Sequence, residues 1–281
     1  MIHTTAPVVD ELIEMRGLRF HYRDWPSTRD GAADLVLLHG FTGHARSWDA
    51  FAEAMSDRYR VLALDQRGHG ETAWAPADRY GIDDMGEDLT AFVAALGLDR
   101  FILLGLSMGG MVAMHYAGRR PPELAALVIV DIGPEIETAG SGRIQAGLKV
   151  SDIFADRDEA FAAARAVNAR PPQAHHRHRV DHSLMRTKDG AWTYRYDRVL
   201  RSPSALRLRD PEAGWRACAN INVPTLLIRG EDSDILSASV AQRMIETIPD
   251  ARLALVENSG HAIPLDAPDG FLAAAREFLK G

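Results

Sequence analysis

One cysteine, Cys218, stands in 281 residues. A single thiol excludes an intrachain disulfide and any cysteine-rich metal site, and it suits a reducing compartment. Long apolar runs are missing too: no stretch approaches the ~18 residues that a membrane span needs. The opening MIHTTAPVVDELIEM lacks the basic segment followed by an apolar one that marks a secretory signal, so the expected location is the cytoplasm. Positive charge is in deficit. With 32 Lys+Arg against 39 Asp+Glu the formal net charge is −7, which disfavours nucleic acid and anionic membranes as partners. No G-x-G-x-x-G dinucleotide fingerprint occurs at any strand-to-helix turn, and there is no internal repeat or low-complexity tract. No feature of the sequence specifies an oligomeric state.

What is present is an ordinary folded composition, 46% hydrophobic and 25% charged, long enough for one large core with a sizeable insertion. DLVLLHG (34–40), RVLALD (60–65), FILLGLS (101–107), LAALVIVD (124–131), TLLIRG (225–230) and RLALVEN (252–258) are apolar without alternation. Strands buried on both faces of a parallel sheet have that pattern. Between them, WDAFAEAMSD (48–57), MGEDLTAFVAALG (85–97) and SVAQRMIETIP (239–249) carry helical spacing. The repetition predicts a doubly wound, mostly parallel α/β sheet with right-handed crossovers. LRFHYRDW (18–25) and the segment before it suit one or two antiparallel edge strands. The alternation breaks between about Pro134 and Trp215, in a stretch too long for a plain loop. The expected organisation is a core of residues 1–133 and 216–281 carrying an inserted, mainly helical cap of residues 134–215, with AWTYRYD (191–197) as a short extended piece.

The chemistry centres on LLGLSMGGMV (103–112). Gly105-Leu106-Ser107-Met108-Gly109 matches G-x-S-x-G at the end of an apolar strand and the start of a helix, the context a nucleophile elbow requires. Glycines on either side leave room for a strained serine backbone, and the helix N-terminus beneath adds partial positive charge. A serine hydroxyl needs an adjacent base at neutral pH, and the base needs an acid to fix its tautomer.

Four motifs together resemble the α/β-hydrolase superfamily across nearly the whole chain. HGFTGH (39–44) resembles the H-G-x-x loop, DQRGHGET (65–72) resembles D-x-R-G-x-G-x-S with Thr72 in the serine's place, and NSGHAIPLDAP (258–268) resembles the catalytic-histidine loop. The order serine, acid, histidine is also the superfamily's. The resemblance implies Ser107 as nucleophile, His261 as base, and the backbone N–H groups of Phe41 and Met108 as oxyanion donors. For the acid it points to the loop GEDSD after TLLIRG. There Ser233 holds the usual third position after the glycine, and SDIL matches members that use the Asp before an aliphatic residue. Asp234 is therefore the expected acid, with Asp232 and Asp131 as alternatives.

The resemblance implies hydrolysis of a small-molecule carboxylic ester through an acyl-enzyme, with neither cofactor nor metal. Alternatives are a C–C bond hydrolase of ring-cleavage diketones, whose members carry Asn where Leu106 stands, a perhydrolase or haloperoxidase side activity suggested by SMGG, and a non-catalytic ligand receptor. His39 and His69 read as turn-holding hydrogen-bond groups. His175, His178 and His182 would share one helix face, but the arginines around them repel a metal cation, so HHRHRVDH (175–182) reads as a solvated cap surface. Trp192, Tyr194 and Tyr196 read as packing residues.

Overall fold

The computed structural model of the protein describes residues 7–202 and 210–280. Six strands come first: β1 (Val9–Met15), β2 (Leu18–Trp25), β3 (Ala33–Leu38), β4 (Tyr59–Leu64), β5 (Phe101–Leu106) and β6 (Leu124–Val130). An inserted segment then holds the short strands β7 (Ile153–Phe154), β8 (Leu184–Arg186) and β9 (Trp192–Tyr194), after which β10 (Thr225–Gly230) and β11 (Ala251–Val256) complete the main sheet. Its eight strands lie in the order β1-β2-β4-β3-β5-β6-β10-β11. β2 pairs antiparallel with β1 and β4, and the remaining pairs are parallel.

In the central strands the non-alternating apolar runs have a direct cause, because both faces of the sheet are buried there. RLALVEN, expected to be covered on both faces, instead forms the edge strand β11 and leaves Leu253 and Leu255 exposed. Leu35, Leu37, Val61, Ala63, Ile102 and Leu104 pack on one side with α1 (Asp49–Met55) and α10 (Pro268–Phe278). Their neighbours Val36, Leu38, Leu62, Leu64, Phe101 and Leu103 pack on the other with α2 (Ile82–Leu96), α3 (Met108–Ala117), α7 (Pro211–Asn220) and α8 (Ala238–Thr247). The three helices expected from periodicity are α1, α2 and α8. Among the described residues no helix is long and apolar enough to cross a membrane.

The segment between β6 and α7 has more residues in helices than in strands among those described, and AWTYRYD supplies one strand of a small added sheet. It holds α4 (Thr138–Lys149), α5 (Arg157–Val167) and α6 (Gln173–His182), together with an antiparallel sheet in the order β7-β9-β8. A small core of Phe154, Ala160, Val180 and Leu184 joins the sheet to α5 and α6. Residues 203–209 of the expected cap lie outside the described residues.

The DQRGHGET stretch stitches this segment to the main sheet. The Gly70 N–H donates to the Arg195 carbonyl at 3.0 Å, the Asp197 N–H to the Gly68 carbonyl at 2.8 Å, and the Tyr80 hydroxyl to Asp197 at 2.6 Å. The stretch is itself braced by buried Asp65, which accepts from the Ala45 and Glu71 N–H groups and faces His21 Nδ1 at 2.7 Å. Burial pushes the Asp65 carboxyl up, but the His21 bond and nearby positive charge outweigh it and hold the group at about 2. Thr72 does what its position requires: its hydroxyl donates to the Asp65 carbonyl and accepts from the His21 N–H.

Candidate active site

Ser107 sits at the β5–α3 junction with φ +53° and ψ −116°, a strained backbone for any residue bearing a Cβ. The sharp turn forces backbone against backbone. A Cβ on Gly105 would come within 2.3 Å of the Gly109 carbonyl oxygen, and one on Gly109 within 2.4 Å of the Leu38 carbonyl oxygen. Both glycines of G-x-S-x-G are therefore there because nothing larger fits. The strain has a measurable consequence. Ser107→Gly should raise stability by about 1–2 kcal/mol, seen as a Tm a few degrees above wild type, while abolishing catalysis. An unchanged or lower Tm would contradict the strain.

His261 lies in the loop after β11, held by its neighbours: Ser259 donates its hydroxyl to the Val256 carbonyl, and the Gly260 N–H donates to Asp266. Its Nε2 is 2.9 Å from Ser107 Oγ, and its Nδ1 is 2.8 Å from Asp131 Oδ2. A carboxylate at Nδ1 fixes the proton there and leaves Nε2 free to accept from the serine hydroxyl.

Asp131 directly follows β6 with φ +49° and is fully buried. Its own N–H donates to the Ile228 carbonyl, its Oδ1 accepts from the Gly230 N–H at 3.0 Å, and its Oδ2 accepts from the Ser233 hydroxyl at 2.6 Å.

The expected acid, Asp234, is elsewhere. Arg143 of α4 clamps it from Nε and Nη2 at 2.6 and 2.7 Å, and that bond, ahead of the opposing cost of burial, draws its carboxyl below the ordinary range. Asp232 is exposed and paired with Arg170 at 2.8 Å. The correction from Asp234 to Asp131 at His261 Nδ1 has a physical reason in the loop. Ser233 Oγ accepts from the Ile235 and Leu236 N–H groups while donating to Asp131. It thereby folds the GEDSD loop so that Asp234 faces the inserted segment. Where an acid could stand, the sequence supplies a hydroxyl that braces an acid from the neighbouring strand.

Phe41 follows β3 and Met108 opens α3, and neither backbone N–H has an acceptor among the described residues. The histidines around them hold structure. Buried His39 accepts the Gln66 N–H at Nε2 and so donates from Nδ1 to the Gly40 carbonyl. His69 donates from Nδ1 to the Arg67 carbonyl, and burial pulls its pKa down to about 3.

A cavity of about 120 Å³ opens over Ser107. Phe41, Trp48, Leu106, Pro264 and Leu265 give it apolar walls, and Arg179 of α6 adds a cation. The sequence reading placed the α6 stretch on a solvated surface. His178 does reach Asp49 and lies tilted against His182, but His176 is buried and Arg179 turns to the cavity. A helix only ten residues long, with Val180 as its one large apolar side chain, gave no periodicity from which to read its inner face.

Residues 35–268 match the family model of the alpha/beta hydrolase fold. Among curated proteins the chain is similar to N-formylmaleamate deformylase of Pseudomonas putida, 31% identical over 95% of both chains. It is also similar to 3-hydroxybutyrate-oligomer hydrolase of Cupriavidus necator, 28% identical over 94% of this chain and 93% of that one. Among solved structures, E-2-(acetamidomethylene)succinate hydrolase superposes with a TM-score of 0.89 at 23% identity, over 98% of this chain and all of that one, a likeness of fold.

Proposed function

The chain belongs to the alpha/beta hydrolase fold family, and on that footing we propose that it is a serine hydrolase cleaving carboxylic esters through an acyl-enzyme. The observation that carries this reading is the unbroken line Asp131–His261–Ser107, with links of 2.8 and 2.9 Å. Ser107 Oγ attacks the ester carbonyl as His261 Nε2 takes its proton. The Phe41 and Met108 N–H groups receive the oxyanion, a contribution worth about 10²–10³ in kcat per donor in comparable sites. The tetrahedral intermediate collapses, His261 returns the proton to the departing alcohol, and the acyl group stays on Ser107. Water, deprotonated by His261, then releases the acid and restores the serine. Asp131 fixes the imidazole tautomer and stabilises the imidazolium. In this reading the segment over residues 134–215 acts as a cap that covers the serine and sets substrate choice.

Similar proteins support the class of reaction. One is named for hydrolysis of 3-hydroxybutyrate oligomers. The deformylase name favours a second reading, in which the acyl group sits on nitrogen and the same serine attacks it. Rapid mixing with p-nitrophenyl acetate tests the shared step. The expected result is a burst of about one nitrophenolate per active site, followed by slower turnover. Hydrolysis without nucleophilic participation of Ser107, shown by an undiminished burst in Ser107→Ala, would overturn the proposal.

A further inference from the structure

We propose that Arg179 is the binding residue for a substrate carboxylate, so that the natural substrate is an anionic acid derivative cleaved at its ester or acyl-nitrogen bond. The inference rests on the hydrolase reading above for the identity of the reacting bond.

Arg179 is unusual among the arginines near the cavity. Arg46 is paired with Asp10, Arg143 with Asp234, and Arg170 with Asp232. The Arg179 side chain makes no hydrogen bond and no ion pair with any described residue, although it lines the same cavity as Ser107 and His261. Asp266 lies near enough to influence it, but that carboxylate is already held by the Gly260 N–H and the Asn168 side-chain amide. Tyr194 is the other polar neighbour that bears on its charge.

An unpaired guanidinium beside apolar walls is costly, because its hydration is reduced and no anion repays the loss. Burial accordingly lowers its pKa from the ordinary value, but a guanidinium remains a cation at neutral pH. The group is also aimed by fixed backbone. The Arg179 carbonyl accepts from the Ser183 N–H and from His44 Nε2 at 3.0 Å. Burial holds His44 at about 3, so its ring is neutral at physiological pH and donates from Nε2. His44 ends the HGFTGH loop that also carries Phe41. The cation is thus tied to the loop that supplies an oxyanion donor. A planar fork of donors fits a carboxylate with two parallel bonds. Arg179 and Ser107 line one cavity, so a carboxylate on Arg179 and a carbonyl at Ser107 would belong to one molecule.

The test is equilibrium binding to the Ser107→Ala protein, with monomethyl succinate set against methyl 4-methylpentanoate, in which an isopropyl group replaces the carboxylate. Calorimetry should show the anionic ester binding at least about tenfold more tightly, as a charged hydrogen-bonded pair implies. Arg179→Met in the same background should lower affinity for the anionic ester about 10- to 100-fold and bring the ratio near one. Arg179→Lys, which keeps the charge and loses the fork, should retain part of the preference. Equal or weaker binding of the anionic ester by the Arg179 protein would overturn the proposal, as would a preference that survives Arg179→Met. The readout needs no turnover, so an unreactive Ser107 would count against the hydrolase reading alone.

Discussion

Ser107→Ala protein should hydrolyse activated esters about 10⁶-fold more slowly than wild type, with its fold intact. The alanine Cβ occupies the place of the serine Cβ, so the elbow is no more crowded than before and the strain at φ +53° is unchanged. Only the nucleophile is lost. His261→Ala should cost about as much, because a serine whose hydroxyl keeps its proton is a poor nucleophile. The two losses should not add: the double variant is expected to lie within a few-fold of either single one, since the residues work as one unit. Steady-state kcat/KM for p-nitrophenyl acetate in the three proteins, with circular dichroism for folding, checks this. Multiplicative losses would mean that serine and histidine act in separate steps.

Asp131→Asn should lower kcat about 10⁴-fold. An amide placed at His261 Nδ1 presents a donor where the imidazole N–H needs an acceptor, and the ring is driven to the wrong tautomer. Ser233 and the Gly230 N–H, which both donate to Asp131, add to the mismatch. Asp234→Asn should cost less than about tenfold, because it loosens only a half-exposed pair with Arg143, and such pairs contribute little. Measuring kcat for both at one pH separates them. Should Asp234→Asn prove the crippled protein, the geometry at His261 Nδ1 would not be the catalytic one.

The contrast between these two aspartates shows where the sequence was legible and where it was not. The strands were legible because their physics is local: the LVLL at the centre of DLVLLHG has no polar residue to turn outward, so both its faces must be covered. Ser107 and His261 were legible because each lies in a turn whose steric demands are written in the adjacent glycines. Asp131 was harder. LAALVIVD ends in one aspartate and GEDSD offers two, and although β10 borders β11 while β6 lies one strand further away, it is the aspartate after β6 that reaches His261. That is a property of loop path, with Ser233 as the deciding hydroxyl. The inserted segment was least legible. Its small sheet depends on pairing between residues some forty positions apart, Ile153 with Thr193 and Phe154 with Trp192. Arg179 was hidden among five other His and Arg residues in HHRHRVDH, and only the packing of α6 against the HGFTGH loop singles it out.

The most direct test of the Asp131–His261–Ser107 line is the rate at which a fluorophosphonate labels the protein, with the adduct located by peptide mass. Wild type should carry one adduct, on Ser107, formed at a rate that Asp234→Asn keeps within about tenfold. His261→Ala and Asp131→Asn should each slow that rate by about 10³-fold or more, since both leave the serine without its base in the right tautomer. Labelling of another residue, or labelling of Ser107 at wild-type rate in Asp131→Asn, would contradict the account.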